Sequence, residues 1–226
     1  MKKITEQEAL DLLFSNTNIK DLNKPENRWI KHSIFVGLAA RRIAEQLNLN
    51  DTYALIIGYL HDIGRKIDHN NHPIEGYKYL NDLGYPDIAR YSLTHSFYNA
   101  DIKNTIGTGP DTKEKYDFIN NYLQSIKPSI FDNLIHLCDL FCLDTGFTTI
   151  EKRTLDIMER KGVSENFLKH YNDIMDFKTW IELTIKKDFY DLFKEIKKEE
   201  LVSKDEDYQK IKTLYYKEMK LKKGGL

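Results

Sequence analysis

Apolar residues recur at spacings of three and four along most of the chain, and period-two alternation is nearly absent. That pattern predicts an all-α protein. Helices are expected near 5–15, 26–48, 52–63, 73–83, 87–97, 112–125, 129–143, 149–161, 165–176, 179–200 and 206–221. Thr5 with Glu8, Thr148 with Glu151 and Thr179 with Glu182 have the spacing of capping boxes. Pro25, Pro86 and Pro128 stand where first turns would begin. The densest apolar stretch is YALIIGYLHDIGRK, Tyr53–Lys66. Ala54, Ile57, Leu60 and Ile63 recur every third residue, so this helix has a buried face. Asp51 is placed to cap its start, and Gly64 to end it in a left-handed conformation. His61 and Asp62 then fall in its last turn. Adjacent helical residues point about 100° apart, so the pair converges on one ion only if other elements supply ligands from the sides. Taken alone, His-Asp also fits a helix end with a partly exposed acid and a histidine near the dipole.

Other polar residues interrupt apolar helix faces. His32 lies one turn before Val36, on the face marked by Trp29, Val36, Ala39, Ala40 and Ile43. It is either a satisfied core histidine or a ligand. His69 and His72 flank the start of the following helix; His72 can turn toward a site, whereas His69 reads as solvated loop. His95 is four after Tyr91 on the same face, and a cation at a helix C-terminus is the simpler account of it. Asp139 follows Ile135 by four and joins the apolar face of its helix. A carboxylate there costs several kcal/mol, roughly, unless it is paired or bound to a cation. His136, three before it, either supports that site or is exposed. Tyr98–Pro110 reads as a loop, with Gly107 and Gly109 at its far end.

Composition narrows the class. At 226 residues the chain is one domain, or one with an appendage; 41% hydrophobic residues suffice for a core and 31% charged residues for solubility. A formal net charge of −1 argues against a nucleic-acid partner. No apolar run approaches the roughly 20 residues of a membrane span. Cys138 and Cys142 read as buried thiols, which fits a reducing compartment. With no signal-peptide pattern, a cytoplasmic protein is expected. Near the C-terminus, Ile181, Ile185, Phe189, Leu192 and Ile196 form a stripe suited to a core or a homodimer contact. The closing KLKKGGL reads as a solvated tail.

His32, the pair His61-Asp62 and the distant Asp139 resemble the H…HD…D signature of the HD-domain metal-dependent phosphohydrolase superfamily. The surrounding segments HSIFVGLAARRIAEQL, ALIIGYLHDIGRK, HPIEGYKYLNDLGYPDIARYSLTHS and LIHLCDLFCLDTGFTTIEKR agree, over about residues 26–160. The chain departs from the HD-GYP subgroup, having no GYP triplet after His95 and no His-His pair. The resemblance implies an HD-domain helical bundle over 1–160 that carries the metal site, and a helical extension over 161–226 packed on it. It implies His32, His61, Asp62 and Asp139 as metal ligands, with His72 and His95 matching the extra histidines of two-metal members. Asp62 would bridge the two ions. A histidine-rich set suits Mn, Fe, Co, Ni or Zn. The implied reaction is hydrolysis of a small-molecule phosphoester, a nucleotide first among candidates, by metal-activated water, with Asp62 and Arg65 catalytic. Arg65 is the first choice for the substrate phosphate, then Lys66 and Arg153; each also reads as a solvated helix-end charge. Tyr98 and Lys103 would line the pocket mouth. Two other readings stay open on the same six ligand positions: a di-iron oxygenase, and a non-catalytic nucleotide-binding sensor.

Overall fold

The computed structural model describes residues 3–15, 17–105 and 110–224. Gly107 and Gly109, and the last two residues of the KLKKGGL tail, lie outside the described residues. The fold is all-α, with one two-stranded pair, β1 (Cys142–Leu143) and β2 (Gly146–Phe147), among the described residues. No helix among those residues is long and apolar enough to cross a membrane. The chain divides into two compact units that interleave along the sequence: Met1–Ser96 with Pro128–Gly146, and Phe97–Lys127 with Phe147–Leu226. The division expected at residue 160 is therefore not the boundary between them.

The first unit holds α1 (Glu6–Phe14), α2 (Arg28–Gln46), α3 (Asp51–Leu60), α4 (His72–Asp82), α5 (Pro86–Thr94) and α7 (Ile130–Asp139). Its core is built from Ile30, Val36, Ala40 and Ile43 of α2, Leu55, Ile57 and Leu60 of α3, and Leu134, Ile135 and Leu137 of α7. Thr5 and Glu8 form the expected capping box on α1. Asn48, in the left-handed region at φ 54°, lets the Leu49 N–H return to the Ala44 carbonyl and closes α2. The cap of α3 is Asn50, whose side chain accepts from the Tyr53 N–H, rather than Asp51.

Two glycine contacts set the spacing of this unit. A Cβ on Gly58 would stand 2.5 Å from the Gly37 Cα, so α2 and α3 cross with backbones in contact there. His32 and His61 lie together beyond that crossing, with ring centroids 5.4 Å apart. A Cβ on Gly64 would overlap the His72 carbonyl oxygen and the Gly76 nitrogen. Gly64 thus admits the first turn of α4 against the 3-10 turn Ile63–Lys66. It does not end α3 in a left-handed conformation, as expected from sequence; that helix stops at Leu60, and the Ser92 hydroxyl donates to the Leu60 carbonyl at 2.9 Å.

The second unit holds α6 (Lys113–Ser125), α8 (Ile150–Lys161), α9 (Phe167–Ile185) and α10 (Lys198–Gly224). Its core contains Phe167, Tyr171, Ile174, Ile181, Phe189 and Phe193. The Tyr190 hydroxyl accepts from the Ile150 N–H and donates to Glu151 Oε2, tying the start of α8 to the turn after α9. Two expected helices, 165–176 and 179–200, differ from the structure. Thr179 does not cap a helix; its hydroxyl donates to the Met175 carbonyl in the interior of α9. The helix ends instead at Lys186, in the left-handed region at φ 57°. The apolar stripe beyond it runs through a 3-10 turn, Phe189–Leu192.

Candidate metal centre

Six residues of the first unit converge. His32 comes from α2, His61 from the end of α3, Asp62 from the start of the following turn, His72 from the first turn of α4, His95 from the end of α5, and Asp139 from the last residue of α7. His61 is fully buried, and Asp62 and His95 are each 2% exposed. The rings of His32 and His95 stand edge-on to His61, with centroids 5.4 and 4.9 Å away. Among the described residues, two groups have ligand atoms within 4.8 Å of one another: His32, His61 and Asp139, and His61, Asp62 and His95.

The histidines share one arrangement. In each, Nδ1 faces a backbone carbonyl: His32 that of Cys142 at 3.2 Å, His61 that of Gly58 at 2.7 Å, His72 that of His69 at 3.1 Å and His95 that of Tyr91 at 3.2 Å. A carbonyl only accepts, so each Nδ1 carries the proton and each Nε2 presents a lone pair. Those Nε2 atoms point at carboxylates and at one another. His32 Nε2 lies 2.8 Å from Asp139 Oδ1, and His72 Nε2 lies 3.0 Å from Asp62 Oδ1. His72 Nε2 and His95 Nε2 are 3.3 Å apart, and the Ser96 hydroxyl is 3.1 Å from the latter.

Lone pairs gathered in this way repel unless they share a cation. His61 Nε2 is buried with no hydrogen-bond partner, and Asp62 Oδ1 makes no hydrogen bond although His72 is at ion-pair distance. Buried polar atoms left so are costly, of the order of 1–3 kcal/mol each. Imidazole nitrogens from four backbone positions, with two short carboxylates, are a donor set for a divalent transition metal. The residues present therefore fit such an ion.

The protonation states agree. Burial pushes the His61 imidazole down against the pull of Asp62 and Asp139. Burial, with His61 nearby, lowers His95 to about 3. Burial alone would raise Asp62, but Arg65, His72 and His61 outweigh it and hold the carboxyl well below its ordinary value. Asp139 is likewise held low, its burial outweighed by the facing imidazoles of His32 and His61. Neutral imidazoles and ionised carboxylates are the forms that bind metal.

Arg65 donates from Nε to Asp62 Oδ2, and its Nη1 is 3.0 Å from His69 Nε2. Lys66 is engaged elsewhere: its amine donates to the Leu12 carbonyl and the Ser15 hydroxyl, holding the C-terminal end of α1. Tyr98, Lys103 and Arg153 belong to the second unit. Tyr98 is buried, donates to the Asp173 carbonyl at 3.2 Å and stacks on His170. The side chain of Lys103 is exposed. Arg153 pairs with Asp156 at 2.7 Å.

Two neighbours that the sequence left outside the ligand set also meet the cluster. His69, read as loop, both holds His72 through its carbonyl and meets Arg65 through its ring. His136 is buried, and its Nδ1 donates to the His95 carbonyl. Its spacing of three from Asp139 was the available signal. An all-α unit with imidazoles and carboxylates gathered between its helices defines a candidate metalloprotein. The family model for the HD domain matches residues 29–141, and the chain belongs to that family, in the metal-dependent phosphohydrolase superfamily. No curated protein matches the chain, and no solved structure does.

Proposed function

We propose that this protein is a metal-dependent phosphohydrolase acting on a small-molecule phosphoester, with nucleotides the first substrates to test. The observation that carries the reading is the set of four histidines whose Nδ1 protons are taken by backbone carbonyls, so that four Nε2 lone pairs face two ionised aspartates. His32, His61 and Asp139 would hold one divalent ion, and His72 and His95 a second, with Asp62 between them. Bound there, such ions supply a water acidic enough to deprotonate near neutral pH and an electrophilic pull on phosphoryl oxygens. The chain's own groups do the rest. Asp62, kept ionised by Arg65, would supply a carboxylate to the metal site. Arg65 is held in place by Asp62 and His69 and keeps N–H groups beyond those two contacts, which suit a phosphate oxygen. The fully buried His61 and the buried wall around it exclude water from the inner side of the cluster.

The test is phosphate release from a panel of nucleotides and a generic aryl phosphate, with and without Mn, on chelator-treated protein. Mn-dependent release supports the reading. Tightly held iron with oxygen-dependent turnover and no phosphate release would replace it with the oxidative one. Nucleotide binding without turnover in the metal-loaded protein would replace it with the sensor.

A further inference from the structure

The buried side of α7 carries three polar residues, Asp132, His136 and Asp139, at the i, i+4, i+7 spacing of one helix face. Asp132 and His136 hold α5, at its body and at its C-terminal cap, and Asp139 holds α2. Asp132 accepts from Arg90 Nε at 3.0 Å and from the Thr94 hydroxyl at 2.7 Å, both on α5, while also forming the capping box with Ser129. Asp139 meets His32 of α2. Between them, His136 Nδ1 donates to the main-chain carbonyl of His95, the residue that caps the C-terminus of α5. Carbonyls at a helix end lack intrahelical partners, so this one needs an outside donor. The His95 ring is steered by Nδ1 on Tyr91, but the backbone that carries the ring is held by His136. His136 is 5% exposed and has no part in the proposed chemistry.

We infer that His136 is a positioning residue, whose Nδ1–H holds His95 in register with Asp139 and so sets the relation between the two ligand groups. This rests on the proposed metal site. An asparagine amide nitrogen can occupy the place of the histidine Nδ1, whereas a glutamine amide reaches the place of Nε2 instead. The test is Mn titration of the full chain by calorimetry, comparing the unsubstituted protein with His95→Ala and with His136→Leu, His136→Asn and His136→Gln, each checked for helicity. His136→Leu and His136→Gln should reproduce the Mn loss of His95→Ala, with affinity at that site falling about 10–100-fold. His136→Asn should stay within about threefold of the unsubstituted protein, since it restores the donor. If His136→Leu does not fold, the asparagine and glutamine variants decide. A folded His136→Leu with unchanged Mn binding overturns the inference, as does equal weakening in the asparagine and glutamine variants. An unsubstituted protein that binds no Mn overturns the metal reading itself, and this inference with it; the two failures are therefore distinct.

Discussion

A histidine in a helical core has two nitrogens, and the partner of one decides the chemistry of the other. In His32, His61, His72 and His95 the Nδ1 atoms are all given to backbone carbonyls. What remains is a cluster of lone pairs against Asp62 and Asp139. Asp62→Ala removes the carboxylate nearest His72, His95 and Arg65, so it should abolish Mn binding while leaving the far-ultraviolet circular dichroism helical; elemental analysis of the purified variant checks this. Arg65→Ala should leave Mn content intact and lower kcat/KM roughly 10-fold or more, the scale of a lost charge-assisted contact to phosphate. His32 and Asp139 could be picked out from the sequence as polar interruptions of apolar helix faces, whereas His72 and His95 entered the set only through the motif resemblance. The orientation of the rings could not be read there, since it depends on carbonyls such as that of Cys142, 110 positions from its histidine. Lys66 shows the opposite difficulty. Its place beside Arg65 suggests the substrate, yet its amine reaches Leu12 and Ser15, and no local pattern announces a partner so distant in sequence.

At the scale of elements, two backbone contacts bring those residues within reach. The crossing of α2 and α3 at Gly37 and Gly58 leaves no room for a methyl group, and the approach of α4 to Gly64 leaves none either. Gly58→Ala should destabilise the protein by about 1–3 kcal/mol, as overpacking does, measured by urea denaturation. Gly64→Ala meets the His72 carbonyl and should also weaken Mn binding, because the residue displaced is in the cluster. Gly84→Ala is the control: it has no atom within 4 Å and only a positive φ to satisfy, so it should cost about 1 kcal/mol and leave Mn binding unchanged. Helix periodicity was legible in α1 to α8 to within a few residues. It failed over 165–200, where a Thr-x-x-Glu spacing inside α9 imitates a capping box. The true end of α9 is a lysine in the left-handed region, which carries no sequence signal.

For the whole molecule, membership in the HD domain family and an all-α fold were both readable from motif order and periodicity. The course of the two compact units was not, because segment 97–127 belongs to the second unit while 128–146 belongs to the first, which chain order does not reveal. A metal that binds only the folded state stabilises it by mass action, by about 2.7 kcal/mol at one hundred times its dissociation constant. Scanning calorimetry of chelator-treated protein should therefore show a transition that rises with added Mn, and the rise should vanish in Asp62→Ala.

The central claim is that the six side chains form a metal site, and anomalous diffraction at the Mn edge from crystals grown with Mn tests it most directly. The account predicts a peak bounded by His32, His61 and Asp139, and a second bounded by Asp62, His72 and His95. Crystals grown with Mn that show no anomalous peak among these residues, or peaks only on surface carboxylates, would contradict it.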